Sequence, residues 1–91
     1  MLIQCSVSFD PYYASSVSNK VAIIKAWRRV TGQSLKDAKE FVERYDPYNW
    51  ATVVLTKAQF GQLAYEIACV DGILCKDVQE YSTPDVYRFD Q

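Results

Sequence analysis

Lys20-Val21-Ala22-Ile23-Ile24-Lys25-Ala26-Trp27-Arg28-Arg29-Val30-Thr31-Gly32, followed at once by Ser34-Leu35-Lys36-Asp37-Ala38-Lys39, is the stretch that decides the fold. Ile23, Ala26, Trp27 and Val30 recur at three- and four-residue intervals, so the first part is a helix with a single apolar stripe. Its start is expected near Ser18 or Asn19, and Gly32 supplies the left-handed stop after Thr31. Ser34 and Asp37 then have capping-box spacing. They open a second helix with the stripe Leu35, Ala38, Phe41, Val42 and Tyr45, ended by Asp46-Pro47. Two consecutive amphipathic helices need a common surface to cover, and the rest of the chain has to provide it.

On the N-terminal side, Ile3, Cys5, Val7 and Phe9 alternate with Gln4, Ser6 and Ser8, a strand with one apolar and one polar face that Asp10-Pro11 stops. Tyr12 to Ser18 reads as a polar and aromatic loop. On the C-terminal side, Ala51-Thr52-Val53-Val54-Leu55 is a β-branched run that fits a buried strand. Thr56 with Gln59 is a second capping box, opening a third helix with the stripe Phe60, Leu63, Ala64, Ile67 and Ala68, closed by Asp71-Gly72. Ile73 to Tyr81 mixes apolar and charged residues and suits an edge strand. The order β-α-α-β-α-β predicts an α+β domain over residues 1–81, a three-stranded antiparallel sheet with three helices on one face, and a loose tail over 82–91.

Composition agrees with one small domain and removes several chemistries. The chain has 91 residues, 49% hydrophobic and 23% charged, with three Gly, three Pro and no His. Its apolar runs are far too short for a membrane span, and Met1-Leu2-Ile3-Gln4 lacks the basic and apolar regions of a secretory signal, so a cytoplasmic setting is expected. Without histidine, Ser-His and Cys-His catalysis cannot be assembled. Cys5, Cys69 and Cys75 lack zinc-site spacing, so no metal or other cofactor is expected. Those cysteines read as reduced, mainly buried thiols, with a pair such as Cys5 and Cys75 as the alternative. Glu40, Glu43 and Asp46 read as solvated helix-end acids rather than a hydrolase pair, and no small-molecule substrate is implied.

The formal charge of −1 is a cancellation. Lys20 to Lys39 holds Lys20, Lys25, Arg28, Arg29, Lys36 and Lys39 against Asp37 alone, a +5 lobe on a body of −6. On the helical wheel Val21, Ile24, Lys25 and Arg28 fall together, away from the core stripe. Aliphatic residues ringed by cations suit an acidic protein partner, the apolar centre giving burial and the charges giving steering. Nucleic acid is disfavoured, because phosphate gains little from Val21 and Ile24. A second candidate surface is formed by Tyr12, Tyr13, Tyr48 and Trp50 around the two Asp-Pro-Tyr turns, where rings can make large contacts at low entropy cost or seal the edge of the core.

The stretch from Lys20 to Lys39 resembles the C-terminal domain of the bacterial large-subunit ribosomal stalk protein, whose pattern runs K-V-A-V-I-K-A-V-R-x-x-T-G-L-G-L-K-E-A-K. The likeness extends from Lys20 to Glu43, and the remaining elements agree in order. It implies a non-catalytic domain that recruits translation GTPases through its first two helices, here through Val21, Ile24, Lys25, Arg28, Leu35, Lys36 and Lys39. Three positions depart from the pattern: Gln33 stands for a leucine, Ser34 for the second loop glycine and Trp27 for a small core valine. A stalk protein also carries a dimerisation segment and a hinge that this sequence lacks, which suggests a stand-alone relative, virus-encoded, that touches host machinery in the host cytoplasm. The architecture is similar as well to ClpS-like protease adaptors, and an adaptor or inhibitor of a protease, polymerase or defence complex acting through the tyrosine-rich loops is the alternative function.

Overall fold

The computed structural model describes residues 2–81 and 87–88. Strand β1 (Leu2–Phe9) leads into a one-turn helix α1 (Pro11–Ala14), then helices α2 (Val17–Thr31) and α3 (Leu35–Arg44). Strand β2 (Ala51–Thr56), helix α4 (Lys57–Cys69), strand β3 (Ile73–Glu80) and a two-residue strand β4 (Tyr87–Arg88) complete the described chain. β1 lies between β2 and β3 and is antiparallel to both, giving the expected three-stranded antiparallel sheet. β4 adds a parallel pair outside β2, at Val53 with Tyr87 and Val54 with Arg88. The rest of the expected loose tail lies outside the described residues.

Local chemistry sets the element ends. Asp10 stops β1 and caps α1, its carboxylate accepting from the Tyr12 amide at 2.9 Å with Pro11 in the first turn, so the stretch read as loop contains a helical turn. Gly32 ends α2 at φ +75°, and its amide donates to the Arg28 carbonyl at 2.8 Å. Ser34 caps α3 by accepting from the Asp37 amide, while Thr56 and Gln59 complete a reciprocal capping box on α4.

The core lies between one face of the sheet and the helices. Cys5, Val7 and Phe9 of β1 and Ala51, Val53 and Leu55 of β2 meet Ile23, Ala26, Trp27 and Val30 of α2, Ala38, Phe41 and Val42 of α3, and Leu63 of α4. Trp27 is fully buried at the centre, stacked on Phe41 at 5.0 Å between centroids and meeting Phe9 edge-on at 5.4 Å. Such ring pairs contribute about 0.5–1.5 kcal/mol each beyond the area they bury.

Three expectations about faces change. Leu35, counted in the α3 core stripe, is exposed. On α4, Ala64, Ile67 and Ala68 are exposed, and the inward face runs through Phe60, Leu63 and Glu66 instead, because α2 offers Glu66 an ionic partner. The polar face of β1 is not open either, since Gln4 and Ser8 are buried. Trp50 explains part of this cover. It precedes Ala51, which pairs with Val7, while Lys76 on β3 pairs with Ser6 on the other side of β1. The Lys76 ammonium nevertheless sits 4.2 Å from the Trp50 ring centroid, so these side chains meet across the intervening strand.

Candidate functional site

Helices α2 and α3 place the basic lobe on the side of the molecule away from the sheet. Val21 is 43% exposed and Leu35 59% exposed, and Lys25, Arg28, Lys36 and Lys39 are exposed around them. Ile24 is the correction: at 6% exposure it belongs to the core cluster, not to the outward face. The cause lies in the helix pairing. Ile24 is one turn beyond Lys20, and Lys20 is ion-paired with Glu43 of α3, so this flank of α2 faces α3 rather than solvent. The apolar part of the surface is therefore Val21 and Leu35.

Two of the six cations serve the fold. Lys20 holds Glu43, whose carboxyl is drawn below its ordinary pKa by that ammonium. Arg29 grips Glu66 of α4 through both carboxylate oxygens, Nε at 2.7 Å and a terminal nitrogen at 2.8 Å. Glu66 is 1% exposed and also accepts from Gln62; chiefly through Arg29, its carboxyl is held below the usual range although burial pushes it up. Among the described residues Lys25, Arg28 and Lys36 have no carboxylate partner, and Lys39 acts on Glu43 without forming a salt bridge to it, which leaves these four cations available to an outside acid. The Arg28 Nε donates to the Gln33 carbonyl at 3.2 Å, fixing its base beside the interhelical loop. An open cleft there is lined by Lys25, Arg28, Arg29, Gly32 and Gln33.

The aromatic candidates lie at the opposite end of β1 from Leu2. The two Asp-Pro-Tyr turns are built alike: Asp10 accepts from the Tyr12 amide and Asp46 from the Tyr48 amide at 2.8 Å. Tyr12 is 78% exposed and Tyr48 98% exposed. Tyr12 meets the Tyr13 ring edge-on at 5.2 Å, and Tyr13 and Trp50 are themselves held against the domain. Tyr13 packs against the core and approaches Gly72 closely, and Trp50 donates to the Pro47 carbonyl at 2.8 Å under the Lys76 ammonium. A cleft lined by residues including Phe9, Pro11, Lys20, Val42 and Tyr45 separates the turns.

Among the described residues no cluster of three or more His, Cys, Asp or Glu is placed to hold a metal, and no helix is long and apolar enough to cross a membrane. The surface that stands out is a helix pair carrying unpaired cations around two aliphatic side chains, the form of a small α+β docking domain. The family model described as "Ribosomal protein L7/L12 C-terminal domain" matches residues 9–59, more than half of the chain and the whole of α2 and α3. The chain belongs to that family.

Three curated relatives show how far the likeness runs. A large ribosomal subunit protein bL12 of Alkalilimnicola ehrlichii is 60% identical over 35 residues, 38% of this chain and 28% of that protein. The bL12 proteins of Sorangium cellulosum and Clostridium botulinum are each 51% identical over 35 residues, 38% of this chain and 27% and 29% of theirs. The matched segment thus spans less than a third of the length of these relatives. No solved structure matches.

Proposed function

We propose that this protein is a non-catalytic protein-interaction domain of the ribosomal-stalk kind, working in the cytoplasm, and that α2 and α3 dock an acidic partner, a translation GTPase first. The observation that carries this reading is the coincidence of three things on α2 and α3: the family match, the unpaired cations and the exposed aliphatic pair Val21 and Leu35. Burial of Val21 and Leu35 supplies the non-directional part of binding, at roughly 25 cal/mol per Å² before ordering costs. Lys25, Arg28, Lys36 and Lys39 supply steering and register, so association is salt-dependent.

The test uses purified translation GTPases as probes. Lys25→Glu and Arg28→Glu each place a carboxylate where the partner presents one, and each weakens binding about tenfold or more with the circular dichroism of the domain unchanged. Unchanged affinity in both variants discards the reading. A steep salt slope for DNA or RNA in a filter assay would move the same surface to nucleic acid.

The exposure of Tyr12 and Tyr48 favours a second reading, an adaptor or inhibitor acting through the aromatic turns. Tyr48→Ala separates the two readings. It abolishes capture under the second and leaves it intact under the first, without disturbing a side chain that packs in the core.

A further inference from the structure

Cys5 and Cys75 stand on adjacent strands with their side chains on the same face of the sheet. Cys75 pairs with Val7, and Cys5 is two residues from Val7 along β1, so the alternation of a strand sends both thiols inward. Cys5 is completely buried in the core cluster, Cys75 is half-buried against it, and each thiol shifts the titration of the other, so the two stand within interaction range. Cys69, on α4, is exposed.

We propose that Cys5 and Cys75 form a reversible dithiol–disulfide site that takes peroxide-class oxidants, with Cys75 as the thiol that reacts first. The roles follow from access and charge. Cys75 is the less buried of the two residues, and the neighbouring Cys5 thiol holds its pKa below the ordinary thiol value, whereas Cys5 is pushed up by Cys75 and by burial. The Cys75 thiolate attacks one peroxide oxygen. The O–O bond breaks, one oxygen leaves as water once protonated, and Cys75 becomes a sulfenic acid. The sulfur of Cys5 then attacks the Cys75 sulfur, the S–O bond breaks, the Cys5 proton goes to the departing hydroxide and a second water is released. An external dithiol reverses the bond by exchange.

Closure of the bond requires the backbone to shift. Diagonal neighbours across a regular antiparallel pair stand roughly 7–8 Å apart, beyond the usual Cα span of a relaxed disulfide at about 4.4–6.8 Å. Here the β1–β3 ladder is irregular between Gln4 and Ser6, and Asp77 on β3 has φ +55°, so the strand carries an extra residue beside the pair. β3 is an edge strand, with no neighbour on its outer side among the described residues to resist the movement.

The whole chain is treated with hydrogen peroxide under native conditions, denatured, alkylated, digested and mapped by mass spectrometry, alongside Cys69→Ser and Cys75→Ser variants. The expected result is a peptide joining Cys5 to Cys75 in the wild type and in Cys69→Ser, reversed by dithiothreitol and absent from Cys75→Ser, while Cys69 stays monomeric or oxidises separately. Full alkylation of both Cys5 and Cys75 after treatment overturns the proposal. So does over-oxidation of Cys75 with Cys5 left as a free thiol. Since Cys69→Ser changes an exposed position, a failure there cannot be assigned to loss of the fold.

Discussion

Glu66→Gln is the substitution whose effect can be worked from the structure in most detail, because it removes a charge while keeping the shape of a buried side chain. The wild-type carboxylate lies at 1% exposure and accepts two charge-assisted hydrogen bonds from Arg29, at 2.7 and 2.8 Å, tying α2 to α4. Hydrogen bonds to charged groups are worth about 1.5–3 kcal/mol, but burying the charge offsets part of that and the Arg29 side chain is 52% exposed, so the low end applies. A glutamine keeps one acceptor, and the expected loss at neutral pH is about 1–2 kcal/mol, or roughly 5–15 °C in Tm for a domain of this size. The pH dependence gives the more discriminating test. The folded-state pKa of Glu66 is below its ordinary 4.5, so the wild-type gain is complete above that value and disappears as pH falls through the folded pKa. Urea denaturation of both proteins from pH 7 to pH 3 should show the gap closing on acidification. A gap that stays constant over that range, or one below about 0.5 kcal/mol at pH 7, would refute the assignment of this ion pair as the α2–α4 clasp.

The remaining predictions concern turns, caps and the docking face. Gly72→Ala puts a methyl 2.8 Å from the Tyr13 Cβ at φ +103° and should cost about 3 kcal/mol by urea titration. Gly32→Ala meets nothing within 4 Å and should cost only about 1 kcal/mol for its left-handed backbone. Thr56→Ala breaks the complete capping box and should cost about 1 kcal/mol, read as a lower urea midpoint with unchanged slope. The double charge reversal Lys36→Glu/Lys39→Glu should slow partner association and flatten its salt dependence while leaving thermal stability within about 0.5 kcal/mol.

The element order and the ends at Gly32, Ser34 and Thr56 were legible because caps and stops act through the nearest few residues. The α2 stripe was legible for the same reason, since its period is internal to the helix. What failed needed a neighbour. The rotation of α4 was hidden because its inward charge, Glu66, depends on Arg29, which lies 37 positions earlier in the chain. Ile24 looked outward on a wheel that knew one core direction, whereas α2 has α3 on one flank and α4 on the other. Likewise the burial of Ser8 on the polar face of β1 involves Trp50, a residue 42 positions away that reaches Lys76 across that strand. The cations at Lys25, Arg28, Lys36 and Lys39 are exposed, and none of them forms a salt bridge among the described residues.

Two of the three departures from the stalk pattern that the sequence resembles, Gln33 and Ser34, fall in the loop between the two basic helices, and the structure separates conformation from surface there. Gly32 sits at φ +75° and is required by the backbone. Ser34, in place of the second glycine, sits at φ −64°, a conformation open to any residue, and uses its hydroxyl to cap α3. The serine therefore costs the fold nothing and adds a cap, so its effect falls on the surface alone. Ser34 is exposed between Arg28 and Leu35 in the chain, and Gln33 beside it anchors Arg28 through its carbonyl. A partner whose backbone comes close at a glycine meets a side chain here. On the proposed docking reading, Gln33 and Ser34 would bear on partner choice, while Lys25, Arg28, Lys36 and Lys39 keep the charge of the face.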